Sequence, residues 1–96
     1  LKINENYSEA YSALAVISAL NGNYIAADEM IKRGNYLISK NNSKNNRLLN
    51  EMKVNEAAIA LLKNEKERAY ILLQSVLSVD NNEKASLLYN RYFNKK

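Results

Sequence analysis

Carboxylate pairs are the side chains of this sequence that come closest to a catalytic arrangement. Asp28 and Glu29 are adjacent, and Glu65 and Glu67 are two residues apart. Paired carboxylates can do general acid–base work when their surroundings separate their pKa values. Each pair lies beside Lys or Arg, however, as carboxylates do on solvated helix faces and at helix starts. We therefore interpret both pairs as structural rather than catalytic.

The residue types that most often do chemistry in proteins are absent. The sequence contains no His and no Cys, which removes the commonest general base, the commonest metal ligand and every cysteine nucleophile. No Ser lies in a Gly-x-Ser-x-Gly motif, and the segment SALNGN has a single Gly, so no phosphate-binding loop is present. The sequence therefore predicts a protein that is not an enzyme and that uses no cofactor and no metal.

Charge and aromatic residues could in principle combine in a nucleic-acid site. Fourteen Lys and Arg residues against ten acidic ones give a net charge of +4, and seven Tyr could stack on bases. Most Tyr fall on or beside apolar stripes, however, and we expect Tyr92 and Phe93 to form the packing face of the last helix. Nucleic acid is therefore not an expected partner. No apolar run approaches the roughly 20 residues of a membrane-spanning helix, so membrane insertion is not expected either.

Apolar spacing and helix-breaking residues predict an all-α chain of about five antiparallel helices. The chain has no Pro and two Gly, and its apolar residues recur at the three- and four-residue spacing of helix faces. Turns are predicted where Asn, Gly or Asp interrupt this pattern, at residues 21–23, 40–45, 63–66 and 80–82. In the first turn Gly22 can take left-handed backbone and Asn23 can cap the next helix. Asn64 and Glu67 are predicted to form a capping box.

The predicted helices differ in the number of apolar stripes that they carry. Helix one has two, which predicts an inner helix packed on both sides: Tyr7, Tyr11, Leu14 and Ile17, and beside them Ala13, Val16 and Leu20. Helix three also has two: Leu48, Met52, Ile59 and Leu62, and then Val54, Ala58 and Leu61. Helix two has one, formed by Ala27, Met30, Ile31, Gly34, Leu37 and Ile38, and helix four has one, formed by Ala69, Leu72, Leu73, Val76 and Val79.

The first helical hairpin resembles the tetratricopeptide repeat (TPR), a family of helical hairpins stacked into a superhelix. Tyr11 takes the place of the family's large aromatic residue, and further positions match the family: Leu14, Gly22, Tyr24 and Ala27. Other positions depart from it: Ala15 replaces Gly, Ser18 replaces Tyr, Ile31 replaces Phe, Gly34 replaces Ala and Ser39 replaces Pro. The resemblance implies antiparallel hairpins that form a short right-handed superhelix.

A second, divergent copy follows at an offset of 42 residues, longer than the family's repeat of about 34. When the two copies are aligned, the corresponding residues are Ala57 and Ala15, Ile59 and Ile17, Leu62 and Leu20, Ala69 and Ala27, and Leu73 and Ile31. We expect one domain with repeat one over about 8–41, repeat two over about 42–83 and a terminal helix over about 83–94. Because Leu1 is not an initiator, we expect the chain to be cut from a longer protein, either as a single TPR-like domain or as a fragment of a longer array.

The family resemblance implies a protein–protein interaction module or adaptor that binds a partner polypeptide in a concave groove. The implied groove residues are Glu9, Ser12, Val16, Leu20, Glu51, Val54, Asn55, Leu88 and Tyr92, with Ala13, Ala58, Leu62 and Lys95 beside them. This lining lacks the Lys and Asn set that grips a terminal carboxylate, so an apolar partner segment fits better. The alternatives are a self-associating structural helical-repeat protein and an RNA-binding helical repeat.

A narrower resemblance concerns the segment AYSALAVISALNGNYIAADEMIKRG. It is similar to repeats of bacterial pilus-assembly lipoproteins of the pilotin-like and tight-adherence types. This implies a role in assembly of a bacterial pilus or secretion apparatus, as a periplasmic or outer-membrane lipoprotein. A cytoplasmic location is the alternative, and the residues upstream of Leu1 would distinguish the two.

Overall fold

The computed structural model describes residues 5–41 and 45–93. Within these ranges the chain forms five helices: α1 (Glu5–Leu20), α2 (Tyr24–Asn41), α3 (Asn46–Leu62), α4 (Lys66–Leu77) and α5 (Glu83–Tyr92). The predicted all-α fold of five helices is confirmed, and the described residues contain no strand. Part of the predicted second turn, residues 42–44, lies outside the described ranges, as do Lys95 and the last residue of the predicted terminal helix.

The α1–α2 and α3–α4 turns are built alike, 42 residues apart in the sequence. In the first turn the N–H of Asn23 donates to the carbonyl of Ser18 at 2.8 Å. In the second the N–H of Glu65 donates to the carbonyl of Ala60 at 2.7 Å. A bond across six residues at a helix end encloses one residue with left-handed backbone. Both hairpins therefore close through the same hydrogen-bond pattern.

The enclosed residue is Gly22 in the first turn, with a φ of 81°, and Asn64 in the second, with a φ of 63°. Gly adopts this conformation without steric cost, and Asn tolerates it better than most other residues. The predicted capping box at Asn64 is therefore wrong, because Asn64 ends α3 rather than starting α4. The residue before α4 is Glu65, whose side chain makes no capping hydrogen bond.

The face of α1 that packs inside the molecule consists of small residues. These residues recur at spacings of four, three and four, and each is at most 2% exposed: Ser8, Ser12, Ala15 and Ala19. On α2, a Cβ at Gly34 would lie 3.1 Å from the carbonyl oxygen of Ser8. Any larger residue would require the two helices to move apart by a few tenths of an ångström, so Gly34 permits their close approach.

The larger apolar residues of α1 lie on the opposite side, away from this interface. Tyr7 is 61% exposed, Leu14 49%, Ile17 54% and Leu20 66%. The prediction that α1 is an inner helix covered on both apolar stripes is therefore wrong. The physical reason is that α2 and α3 approach α1 along its small side chains, and no described helix lies against its other side.

α3 is the central helix, because it contacts α1, α4 and α5. On one side Leu48, Met52 and Ile59 pack against α1 and α2. On the other side its buried residues join the core of α4 and α5: Val54, Ala57 and Ala60. The predicted two-sided packing of α3 is confirmed.

The single stripes predicted for α2 and α4 are largely buried as expected. Ala27 and Ala69, which occupy equivalent positions when the two repeats are aligned, are both fully buried. Val79 is an exception at 74% exposure, because α4 ends at Leu77 and Val79 lies in the following turn. Asn82 caps α5 by accepting a hydrogen bond from the N–H of Ala85, as the break at 80–82 predicts. In the described part of the chain, no helix has the length and apolar character to cross a membrane.

Candidate partner-binding surface

An uncharged apolar face runs along the outside of α1. We define the α1 ridge as Ala10, Ala13, Leu14 and Ile17, all of which are exposed. Their spacing of three and four residues places them on one helix face. No charged residue occurs between Ala10 and Ala27, so charge does not interrupt the ridge. Leu20 extends the apolar surface at the C-terminal end of α1.

A crevice of about 460 Å³ lies beside the ridge, between α1 and α2. Its walls are mainly apolar and aromatic, and Arg33 is the charged residue among its lining: Tyr7, Ala10, Tyr11, Leu14, Arg33 and Leu37. A crevice of this size and lining can accept an apolar side chain, with a cation at its edge for an acidic or carbonyl group.

The apolar periodicity places the ridge residues Leu14 and Ile17 on a packed stripe, and it does not predict that this surface is exposed. The signal that could have identified it is the row of small residues on the other side of α1, at Ser8, Ser12, Ala15 and Ala19. Small residues at helical spacing indicate close helix packing. The larger side chains of the same helix then lie on the opposite face.

Two residues predicted to line the groove are buried inside the molecule. Ser12 is fully buried, and its Oγ accepts a hydrogen bond from Asn55 Nδ2 at 2.8 Å. Val54 is 2% exposed and packs in the core formed with α4 and α5. Neither side chain forms part of a surface in this structure, because helix–helix contacts within the chain already cover both.

The other predicted groove residues are exposed or partly buried. Glu9, Leu20 and Tyr92 are exposed, and Val16, Glu51, Asn55 and Leu88 are partly buried. Glu51 accepts a hydrogen bond from Asn82 Nδ2 at 3.2 Å, and Lys84 Nζ lies 4.0 Å from it, so this carboxylate joins α3 to the start of α5. Val16 and Leu88 pack against core clusters. Lys95 lies outside the described residues.

One carboxylate of each pair that the sequence analysis considered for catalysis, Asp28 and Glu65, forms an ion pair with a cation. Lys63 Nζ lies 2.8 Å from Asp28 and 3.5 Å from Glu65. The hydrogen bond to Asp28 is the main cause that raises the pKa of Lys63 above its ordinary value. These contacts tie α2 to the α3–α4 turn, so they stabilise the fold.

Arg68 forms a second group of contacts at the same end of the molecule. Its guanidinium lies 2.6 Å from Glu56 and 3.1 Å from Glu65. Burial opposes the charged form of Arg68, but the hydrogen bonds to the two carboxylates outweigh it and raise the pKa. In the ranges that the structure describes, no group of three or more acidic side chains could hold a metal ion.

Comparisons of the chain with protein-family models, with curated proteins and with solved structures found no match. The α1 ridge and its adjoining crevice bring Leu14, Ile17 and two tyrosines together along α1.

Proposed function

We propose that this chain is a non-enzymatic interaction module that binds a partner polypeptide through the outer face of α1. The observation that carries this proposal is the exposure of three large aliphatic residues on the part of α1 that follows Glu9 and carries no charged side chain: Leu14, Ile17 and Leu20 are 49%, 54% and 66% exposed. Contiguous apolar surface on a soluble domain marks sites of interaction. Binding a partner would remove this surface from water.

The chemistry around the ridge supports a protein partner. The adjoining crevice has Tyr7 and Tyr11 on its walls and Arg33 at its edge. Tyr and Arg are the residue types that, with Trp, contribute most to protein–protein binding energy. The surface also includes the exposed groove residues Glu9 and Leu20, which lie on the same helix.

The test is a comparison of two charge substitutions on exposed isoleucines. Ile17→Glu places a carboxylate on the ridge, and Ile71→Glu places one on α4, where the isoleucine is 67% exposed. A partner is first isolated with the wild-type chain from the source cells, and its retention by each variant is then measured at matched concentrations. Circular dichroism and melting temperature establish that both variants are folded.

We expect the Ile71→Glu chain to retain the partner and the Ile17→Glu chain to lose it. Equal retention by both variants would contradict the proposal and move the binding site away from α1. If the wild-type chain retains only further copies of itself, the module is a self-associating one.

A further inference from the structure

We propose that a crevice at the start of α3 binds a free amino acid that has an acidic side chain. The crevice has a volume of about 450 Å³, and its described lining comes from α3 between Asn46 and Lys53 and from Val79 and Asp80 in the turn after α4. None of these residues belongs to α1 or α2. The site is therefore separate from the α1 ridge, and the proposal goes beyond the proposed function.

The buried residue of this lining is Asn50, which is 7% exposed. In the described part of the chain no hydrogen bond joins its carboxamide to another group, whereas the carboxamide of Asn55 on the same helix donates to Ser12. The polar atoms of Asn50 are not enclosed by the protein as Ser8 Oγ is, so they face the crevice. A buried amide without a partner is costly, and a ligand that both accepts and donates hydrogen bonds would satisfy both of its ends.

Three charged side chains also line the crevice, and all three are exposed: Arg47, Lys53 and Asp80. Among the residues that the structure describes, none of the three forms an ion pair. Lys53 Nζ donates to Ser75 Oγ at 3.1 Å, which holds the ammonium group beside the last turn of α4. The crevice therefore presents two cations and one anion that do not neutralise one another.

A ligand that pairs with every one of these groups carries two anionic groups and one cationic group. The planar guanidinium of Arg47 suits a carboxylate, and the ammonium of Lys53 suits a second one. Asp80 can accept hydrogen bonds from an ammonium, and Asn50 can donate to a carboxylate and accept from the ammonium. An amino acid with an acidic side chain carries this set of groups on one small molecule.

Simpler ions pair with only part of the lining. An inorganic anion such as phosphate would leave Asp80 without a partner, and a metal cation would leave Arg47 and Lys53 without one. The volume of about 450 Å³ lies in the range of small-molecule sites. Leu49 and Val79 add apolar surface for the methylene groups of the ligand. The charges, the unpartnered carboxamide and the size of the crevice therefore favour the same ligand class.

The experiment is isothermal titration calorimetry of the full chain with L-glutamate and L-aspartate. Glutarate and succinate, which lack the ammonium, and L-glutamine and L-asparagine, which lack the second carboxylate, are titrated for comparison. The site variants are Arg47→Gln, Asn50→Leu and Asp80→Asn, and Lys32→Gln on the exposed face of α2 is the matched control for loss of a cation. Circular dichroism and melting temperature establish that each variant is folded. Arg47 and Asp80 are exposed, so their variants test the site even if Asn50→Leu alters the fold.

We expect saturable binding of L-glutamate or L-aspartate, with weaker binding of the matching dicarboxylate and amide. Arg47→Gln and Asn50→Leu should each raise the Kd by about tenfold or more, because each removes hydrogen bonds to a charged group of the ligand. Asp80→Asn should abolish the preference for the amino acid over its dicarboxylate, and Lys32→Gln should leave the Kd unchanged.

Three results would overturn the proposal. The first is the absence of saturable binding of both amino acids by the wild-type chain. The second is equal affinity for an acidic amino acid and its dicarboxylate, because the ammonium would then make no contact. The third is an equal rise in Kd for Arg47→Gln and Lys32→Gln, which would indicate attraction to the net positive charge of the chain instead of binding in this crevice.

Discussion

The α1–α2 and α3–α4 hairpins have equivalent turns and small-residue crossings, but the outer faces of their first helices differ. Ala15 and Ala27 in the first hairpin and Ala57 and Ala69 in the second are all fully buried. The equivalent isoleucines behave differently, because Ile17 is 54% exposed and Ile59 is 2% exposed. The turns and the buried alanines of the two hairpins therefore correspond, whereas the α1–α2 hairpin covers the outer face of α3 and no described helix covers that of α1.

The residues that line the crevice beside the first helix also differ between the two hairpins. In the first hairpin the crevice is lined by Tyr7, Tyr11 and Leu37. In the second, a crevice beside α3 has Arg47, Asn50, Lys53 and Asp80 in its lining. Lys53 takes the position of Tyr11, and its Nζ donates to Ser75 Oγ at 3.1 Å between α3 and α4. The first crevice is therefore the one with walls suited to an apolar side chain.

The largest expected effect contrasts the two equivalent isoleucines. Ile59→Ala leaves a cavity in the core and should lower the free energy of unfolding by about 2–5 kcal/mol. Ile17→Ala removes exposed atoms and should change it by no more than about 0.5 kcal/mol in the isolated chain. Urea unfolding of both variants measures the difference. Similar losses in the two variants would mean that the ridge is covered in solution, by self-association or otherwise.

The next effect concerns the fully buried alanines on the second helix of each hairpin, Ala27 and Ala69. Ala27→Leu and Ala69→Leu each add atoms to a fully buried site, and overpacking of this kind costs about 1–3 kcal/mol. Because the crossings are equivalent, we expect similar losses, and thermal or urea unfolding is the measurement. A wild-type melting curve for either variant would show that its hairpin can open without cost.

A smaller effect is expected at the left-handed residue of each turn. Gly22→Ala should destabilise the chain by about 1 kcal/mol, since a Cβ is disfavoured at positive φ. Asn64→Gly should be neutral or slightly stabilising, because it puts the preferred residue at the same position of the second turn. Urea unfolding midpoints compare the two. A stability loss for Asn64→Gly would indicate that the Asn side chain contributes contacts of its own.

The smallest effect depends on pH and on the contact between Lys63 and Asp28. The side chain of Asp28 is 41% exposed, so this ion pair should contribute only about 0.2–1 kcal/mol. The pKa of Lys63 is raised by folding, so the contribution is complete below the unfolded value of 10.5 and is lost as pH rises through the folded value. Unfolding of wild type and Lys63→Met should therefore differ at neutral pH and converge in strongly alkaline solution. If wild type and Lys63→Met still differ in stability in strongly alkaline solution, the difference comes from packing of the Lys63 methylene groups and not from the ion pair.

The helices and turns were predictable from the sequence, whereas the buried face of α1 was not. Asn and Gly interrupt the apolar pattern at each turn, which is why the helix boundaries are visible in the sequence. Hydrophobic periodicity predicts that large apolar side chains are buried. On α1 the large side chains include Leu14 and Ile17, which are exposed on the surface. The decisive residues are small, such as Ser12 and Ala15, because they allow close helix approach.

Two further details could not be read from local sequence alone. Asn64 suits both a helix start and a left-handed helix end, and its equivalence with Gly22 is what favours the second role. Ser12 and Asn55 were predicted to face a common groove on adjacent helices, and the structure does bring them together. They bind each other instead of facing outward, because α1 and α3 pack directly along this line.

The extensive contacts of this fold join helices that are neighbours, or next but one, along the chain. Contacts between segments so close in sequence close short loops, which costs little chain entropy and favours rapid folding. During synthesis, α1 and α2 can pair while α3 is still in the ribosome, and α3 then packs onto a surface that already exists. Folding can therefore proceed in the direction of translation, and a completed hairpin provides the surface against which the next helix packs.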